Sequence, residues 1–166
     1  MLYSQQKNLR MSGTHLKVGD KAPSFEGLNQ DGEQVSSLDY KGKKLILFFY
    51  PKDDTPGCTK EACNLRDNYS YFQKNGFDIL GVSPDKVKKH KKFSERYEFQ
   101  YPLLADPEKE TINAFGVWGP KQFMGKEIIG VHRTTFIINE DGQISHIFKK
   151  VKTKEHAEQI RMELEN

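Results

Sequence analysis

The stretch "KKLILFFYPKDDTPGC", residues 43–58, decides how this chain folds. Its first half is a run of apolar and aromatic residues that follows two lysines and stops at Pro51, which is typical of a strand buried in a sheet. Its second half begins a helix, because Thr55 is a favoured N-cap residue and Pro56 suits the first helical position. The stretch therefore predicts a buried central strand followed directly by a helix, with Cys58 in the first helical turn.

The rest of the chain continues this alternation. The predicted elements, in order, are the first helix up to Asn75 and Gly76, a strand "FDILGVS" at 77–83, a helix that starts at Ser83 and Pro84 and ends before Pro102, a short helix near 106–116, a glycine-rich loop over 116–130, a hairpin formed by 134–139 and 143–150, and a C-terminal helix over 153–166. Strands that alternate with helices and end in a hairpin and a helix predict an α/β fold with a central mixed β-sheet flanked by helices.

Length and composition set the domain organisation. At 166 residues the chain is long enough for one domain with its own core, which we expect over residues 17–166. Residues 1–16 are polar and show no periodicity, so they are predicted to form a flexible N-terminal extension.

Charge and hydropathy argue against nucleic-acid and membrane partners. The formal net charge is +3, and the densest basic cluster, "DKVKKHKKFSER" at 85–96, is interpreted as the solvent-facing side of a helix. The longest apolar run, 45–50, is far shorter than the roughly 20 residues that span a bilayer, and no N-terminal apolar stretch resembles a secretory signal. We therefore expect a cytoplasmic protein, in a compartment where disulfides are usually transient and catalytic.

The two cysteines, Cys58 and Cys63, could serve a metal, a structural disulfide or thiol chemistry. Zinc usually takes about four ligands, and none of the five histidines forms a short-spaced pair with a cysteine, so no metal site is expected. Five residues of helix place the two Cα atoms about 8 to 9 Å apart, whereas a disulfide tolerates about 7 Å. A bond between the two cysteines therefore requires the helix to unwind, which would make the disulfide a conformational switch.

Cys58 lies where a thiolate is stabilised. As the third helical residue it faces free backbone N–H groups and the positive end of the helix dipole, which contributes only about 0.3 to 1 kcal/mol. A nearby cation is therefore expected as well. The Thr55 hydroxyl can donate a hydrogen bond to the sulfur or to a substrate oxygen, and Gly57 leaves room for something small to approach.

The pattern P-x-x-x-T-x-x-C formed by Pro51, Thr55 and Cys58 resembles the active-site signature of the peroxiredoxins. The segment "FFYPKDDTPGCTKEAC" looks like the subfamily called bacterioferritin comigratory protein or peroxiredoxin Q, and the resemblance extends from about Lys17 to the C-terminus through "GDKAPSF", "FGVWGPKQFMG" and "GVHRTTFIINEDG". It implies a thioredoxin-like fold and a usually monomeric peroxidase without a cofactor. Such an enzyme reduces hydrogen peroxide and alkyl hydroperoxides, with thioredoxin as the usual reductant.

The resemblance also implies roles for individual residues. Cys58 matches the peroxidatic cysteine and Cys63 the resolving cysteine, while Arg133 in "HRTTFII" matches the active-site arginine and supplies the expected cation. Glu61 lies one turn beyond Cys58, where related proteins carry a glutamate that orients the arginine. A plain solvated helix carboxylate is an equally good interpretation of Glu61.

Three other functions are compatible with a reactive cysteine. A general thiol–disulfide oxidoreductase is disfavoured by the five-residue spacing. A redox-sensing binding module would use the same sulfenic acid chemistry but pass the signal to a partner. A cysteine hydrolase would need His132 as its base, and the sequence offers no residue to orient that histidine.

Overall fold

The computed structural model describes residues 13–165, and a seven-stranded mixed sheet lies at its centre. The sheet order is β2-β1-β5-β4-β3-β8-β9, and β6 and β7 form a separate two-stranded sheet. The strands are β1 (Glu26–Leu28), β2 (Gln34–Ser36), β3 (Lys44–Phe49), β4 (Phe77–Ser83), β5 (Leu103–Ala105), β6 (Trp118–Phe123), β7 (Lys126–Val131), β8 (Thr134–Ile138) and β9 (Ile144–Phe148). Strand β3 pairs in parallel with β4 and antiparallel with β8, so the apolar run is a central strand, as predicted.

Helices cover both faces of the sheet. They are α1 (Pro56–Asp67), α2 (Tyr69–Lys74), α3 (Val87–Tyr97), α4 (Glu110–Ala114) and α5 (His156–Leu164), with 3-10 turns at Ser37–Tyr40 and Thr153–Glu155. Within residues 13–165, no helix is long and apolar enough to cross a membrane. The predicted mixed sheet flanked by helices is confirmed.

Side chains of β3 divide the core into two layers. Ile46 and Phe48 face the layer that holds the buried side chains of α1, α2, α3 and α5, whereas Leu45, Leu47 and Phe49 face the layer that holds α4. All five side chains are almost completely buried, as expected for a strand covered on both faces. The first layer contains Cys58, so the chemistry of the two cysteines belongs to the face covered by α1.

The first helix is interrupted at Asn68, although the sequence pattern predicts one helix up to Asn75. The Asn68 side chain donates to the Asn64 carbonyl at 2.8 Å, which is the acceptor that its own backbone N–H would use in a continuous helix. The Asn68 N–H turns instead to the carbonyl of Leu65 at 3.2 Å. This side-chain competition for a backbone carbonyl separates α1 from α2.

The prediction of a glycine-rich loop over 116–130 is wrong, because the segment forms the β6–β7 hairpin. Its two-residue turn consists of Met124 and Gly125, which both have positive φ angles, 52° and 79°. Tight hairpin turns require this backbone, and Asn-Gly or Asp-Gly is its usual sequence. Because methionine occupies the first turn position, the sequence lacks the pattern from which this hairpin could be predicted.

The described part of the predicted N-terminal extension contacts the domain. The Thr14 hydroxyl donates to the Phe115 carbonyl at 2.5 Å, and Leu16 packs in the core layer of α4. The prediction of a flexible extension for residues 1–12 lies outside the described residues.

Gly81→Ala tests the packing between β3, β4 and β5. A Cβ at Gly81 would lie 2.8 Å from Phe48 Cζ and 2.9 Å from Leu103 Cδ2, so an added methyl group overpacks the core. We expect the free energy of unfolding, measured in urea, to fall by about 1–3 kcal/mol. Part of this loss should return in the Gly81→Ala/Phe48→Leu double variant relative to Phe48→Leu alone, and purely additive effects would contradict the contact.

Candidate active site

Cys58 lies at the carboxyl end of β3, where the chain turns from the strand into α1. Thr55 is the N-cap and Pro56 the first helical residue, as predicted, so Cys58 is the third residue of α1. Backbone N–H groups in a first helical turn have no acceptor within the helix. The Cys58 side chain is only 1% exposed, which places its sulfur beneath the surface at the positive end of the helix.

The Thr55 hydroxyl does not play the predicted role of donor to the sulfur. It donates to the Lys52 carbonyl at 2.9 Å and makes no capping bond to α1. Its proton is therefore engaged within the loop, and its oxygen is left as an acceptor. In this state Thr55 can receive a hydrogen bond from an incoming hydroxyl group but does not donate one to the sulfur.

The loop between β3 and α1 is anchored to α3. Asp53 accepts from the Tyr50 hydroxyl at 2.6 Å and pairs with His90 Nδ1 at 2.5 Å, while Asp54 accepts from Arg96 at 2.9 Å. Asp54 has a φ of 63°, a left-handed conformation that these side-chain bonds help to hold. Pro51 opens the loop, since a residue without an N–H cannot continue the ladder of β3.

His90 corrects the interpretation of the basic cluster at 85–96. Most lysines of α3 are exposed, as predicted for a solvent-facing helix, but His90 is completely buried. Its Nε2 lies 3.0 Å from the Leu104 carbonyl, and its Nδ1 contacts Asp53. The sequence signal for this role would have been the helical spacing of His90 and Phe93, which places both on the apolar side of α3.

Arg133, just before β8, forms hydrogen bonds to two side chains of α1. Its Nη2 donates to Cys58 Sγ at 3.4 Å, and its Nη1 donates to Glu61 Oε1 at 2.6 Å. Alternation along β8 places Arg133 on the same face as Thr135, which faces α5 through His156. The structure thus brings together three residues that the sequence singled out.

Glu61 is completely buried, so the interpretation as a solvated helix carboxylate is wrong. Burial raises the pKa of Glu61 to about 7, and the neighbouring Arg133 opposes that rise. Burial lowers the pKa of Arg133, but Glu61 and Cys58 outweigh it and the net shift is upward. The guanidinium therefore stays charged beside the sulfur.

Gly57 makes the close approach of Arg133 possible. A Cβ at this position would lie 3.2 Å from Arg133 Nη2, which is tighter than ordinary van der Waals contact. The room that the sequence predicts beside Gly57 is thus taken by the guanidinium.

Cys63 is half-buried on the same helix, and both cysteines are free thiols. Burial raises the pKa of the Cys63 thiol, the Arg66 charge opposes this and Asp67 adds to it. While α1 is folded, Cys63 is therefore held as a thiol, on a helix that keeps the cysteines apart.

The hairpin adds a cation that the sequence did not single out. Lys121 Nζ donates to the Val131 carbonyl at 2.7 Å. Burial lowers the pKa of Lys121, the Arg133 charge lowers it further and Cys58 opposes both. The position of Lys121 depends on the β6–β7 pairing, which the sequence did not reveal.

His132 does not face the sulfur. Its Nε2 lies 2.9 Å from the Pro120 carbonyl and its backbone N–H donates to the Val117 carbonyl, so it fastens the base of the hairpin. A carbonyl only accepts, so Nε2 carries the proton. This arrangement offers no base to Cys58 and argues against the hydrolase alternative.

Comparisons with known proteins agree on one family. The AhpC/TSA family pattern matches residues 18–147. The chain is 46% identical to peroxiredoxin Bcp of Escherichia coli strain K12 over 145 residues, which cover 87% of this chain and 93% of the relative. A PrxQ mutant from Xylella fastidiosa matches with a TM-score of 0.85 at 30% identity, covering 92% of this chain and 98% of that one. The Xanthomonas campestris bacterioferritin comigratory protein matches with a TM-score of 0.80 at 33% identity, covering 92% and 97%.

These matches extend over nearly the whole of each chain and confirm the thioredoxin-like fold. The identity to curated relatives is high enough to establish common descent over the segment that carries Cys58, Glu61 and Arg133. The chain therefore belongs to the AhpC/TSA family and is a peroxiredoxin of the bacterioferritin comigratory protein and peroxiredoxin Q subfamily.

Proposed function

We propose that this peroxiredoxin reduces hydrogen peroxide and alkyl hydroperoxides through Cys58, with Cys63 as the resolving cysteine and thioredoxin as the reductant. The observation that carries the proposal is the double contact of Arg133 with Cys58 Sγ and Glu61. The Xanthomonas campestris bacterioferritin comigratory protein has alkyl peroxide reduction activity, which supports the choice of substrates.

In the first step the Cys58 thiolate attacks the terminal hydroxyl oxygen of the peroxide. A sulfur–oxygen bond forms as the oxygen–oxygen bond breaks, so Cys58 becomes a sulfenic acid and the leaving oxygen takes up a proton as water or an alcohol. Arg133 and the free N–H groups of the first turn of α1 stabilise negative charge on the sulfur and on both oxygens. The Thr55 oxygen accepts a hydrogen bond from the peroxide hydroxyl, because the Thr55 proton is donated to the Lys52 carbonyl.

In the second step Cys63 condenses with the sulfenic acid. The cysteines are too far apart on an intact helix, so the first turns of α1 must unwind before the sulfur–sulfur bond forms and water leaves. Thiol–disulfide exchange with a dithiol reductant such as thioredoxin then restores both thiols.

We further propose that the enzyme acts as a monomer in the cytoplasm. Cys58, Cys63, Thr55 and Arg133 all come from one chain, so the cycle requires no residue from a second copy. The reducing conditions of the cytoplasm maintain the dithiol state from which the cycle starts.

A coupled assay with cysteine variants tests the cycle. Peroxide-dependent oxidation of NADPH through thioredoxin reductase and thioredoxin should continue over many turnovers in the wild type and be absent in Cys58→Ser. Cys63→Ser should consume about one equivalent of peroxide per chain and stop at a sulfenic acid detected by mass spectrometry. Full thioredoxin-coupled turnover in Cys63→Ser would overturn the resolving role, and turnover only with a glutaredoxin system would overturn the choice of reductant.

Gly57→Ala separates the stability of α1 from its chemistry. Alanine should stabilise the helix by up to about 1 kcal/mol relative to glycine. Its Cβ should nevertheless displace Arg133 Nη2 by tenths of an ångström and slow the oxidation of Cys58 about 10-fold, since small misplacements of a charge-stabilising group are costly.

The rate of this step can be measured by rapid quenching with a thiol-alkylating reagent, with thermal unfolding as the stability readout. Ser70→Ala, on the exposed surface of α2, is the matched control and should leave the rate unchanged. A Gly57→Ala variant with wild-type kinetics would show that the position of Arg133 does not control the reaction.

A further inference from the structure

One oxygen of the buried Glu61 has no evident use in the proposed cycle. Oε1 accepts from Arg133, but Oε2 is buried without a hydrogen-bond partner among the described residues. His156 Nε2 lies 3.7 Å from this oxygen, and both side chains are completely buried. Buried polar atoms are nearly always paired, so an unpaired carboxylate oxygen facing a histidine calls for an explanation.

The hydrogen bonds around His156 fix its tautomer. Gln159 Nε2 donates to the Lys150 carbonyl at 2.7 Å, which orients the amide so that Gln159 Oε1 faces His156 Nδ1 at 2.9 Å. Because this oxygen only accepts, Nδ1 carries the proton, and Nε2 of the neutral ring presents a lone pair. That lone pair receives the Thr135 hydroxyl, whose oxygen lies 2.7 Å away.

The pKa shifts place any additional proton on Glu61 rather than on His156. Burial lowers the pKa of His156 to about 4, the bond to Gln159 opposes this and the Arg133 charge adds to it. Burial raises the pKa of Glu61 to about 7. Near neutral pH the imidazole is therefore neutral and the carboxyl group is close to its midpoint.

Tyr101 and Arg133, near Glu61, do not change charge in this range. Tyr101, whose hydroxyl donates to the Ala62 carbonyl of α1, has a pKa raised far above 10 by burial, with Glu61 adding to the rise. Arg133 stays protonated, and Lys154 and Glu155 in the 3-10 turn beside α1 are exposed. Burial raises the pKa of the Cys63 thiol on the same helix, and Cys58, one turn away, is itself the reacting group.

We propose that His156 is a positioning residue of the peroxidase site: its Nε2 lone pair receives the proton of neutral Glu61 and so decides whether Arg133 faces an anion or a neutral acceptor. When Glu61 is ionised, it offsets the guanidinium charge beside the sulfur. When Glu61 is protonated, Oε2–H donates to His156 Nε2, Oε1 still orients Arg133, and the full positive charge acts on Cys58 and the peroxide. Thr135 competes with Glu61 for the single lone pair.

The competition predicts opposite effects for two variants. His156→Phe removes the acceptor and should lower the midpoint of Glu61 ionisation. Thr135→Val is nearly isosteric, frees the lone pair and should raise that midpoint. The measurement is a carbon-13 NMR titration of protein labelled at the glutamate carboxyl carbon, with the Glu61 signal assigned by its absence in Glu61→Gln.

The expected result is a wild-type midpoint near 7, with the two variants displaced in opposite directions. Thr135→Val keeps the test valid if His156→Phe does not fold. Equal midpoints in the wild type and in every folded variant would overturn the proposal, as would a Glu61 midpoint near that of an ordinary carboxyl group in all of them.

The kinetic consequence rests on the proposed function. The rate constant for oxidation of Cys58 by hydrogen peroxide should show an inflection near the Glu61 midpoint, and this inflection should move with the midpoint in each variant. An inflection that stays in place while the NMR midpoints move would overturn the role in positioning Arg133. Chains that never react with peroxide but show the displaced midpoints would instead refute the proposed function and leave the Glu61–His156 pair established.

The raised pKa of Glu61 also predicts how the free energy of unfolding depends on pH. Its pKa is raised in the folded state from 4.5 to about 7, so the folded state holds a proton that the unfolded state has already released. The contribution is fully present below about pH 4.5 and is lost as pH rises through about 7. In urea unfolding at pH 5 and pH 8, the wild type should therefore lose more stability than Glu61→Gln. A parallel pH dependence of the two proteins would contradict the raised pKa.

Discussion

The contact of Arg133 with Cys58 and Glu61 is the interaction on which the rest of the site depends. It connects residues separated by 72 and 75 positions, and it exists only because β8 lies beside β3 in the sheet. Strand alternation directs Arg133 to the face covered by α1, and the missing side chain at Gly57 lets the guanidinium approach the helix. A cation on the sheet and the positive end of the helix dipole thus both act on the Cys58 sulfur.

This arrangement has a cost, because it buries a carboxyl group in a dry interior. An ionised Glu61 loses its hydration, and one good hydrogen bond to Arg133 does not satisfy both of its oxygens. A neutral Glu61 avoids the penalty but leaves the guanidinium charge without compensation. The raised pKa of Glu61, about 7, reflects the balance of these two states. The two states differ by one proton on the carboxyl group, and His156 lies beside its Oε2.

The sequence predicted the parts of the site that depend on local rules. The strand and helix around Pro51, the cap at Thr55 and the place of Cys58 in the first turn follow from propensity and capping, and the structure has each of them. Only the family resemblance distinguishes Arg133 among the 26 basic residues, since no local pattern does. Propensity alone would have left it on the surface.

The features that the sequence missed depend on tertiary contacts. The β6–β7 hairpin forms around a turn with Met124 in a left-handed conformation, and Lys121 reaches the site only because of that pairing. The break at Asn68 comes from one side-chain hydrogen bond that competes with the helix. The role of His156 requires knowledge of which helix packs against which, whereas the helical spacing of His90 and Phe93 was the one sequence signal for the burial of His90.

The five-residue spacing of the cysteines makes the helix itself part of the proposed reaction. Two anchors flank Cys63 on α1: the Tyr101 hydroxyl donates to the Ala62 carbonyl at 2.7 Å, and the Ala157 N–H donates to the Asn64 side chain at 2.7 Å. The first turn, which contains Cys58, has N–H groups without an acceptor in the helix, so opening it breaks fewer hydrogen bonds. Unwinding is therefore easiest from the N-terminus of α1, which brings Cys58 toward a Cys63 that stays held against α5. In the proposed cycle the same opening would separate Cys58 from Arg133, so the cation would leave the sulfur once the sulfenic acid has formed.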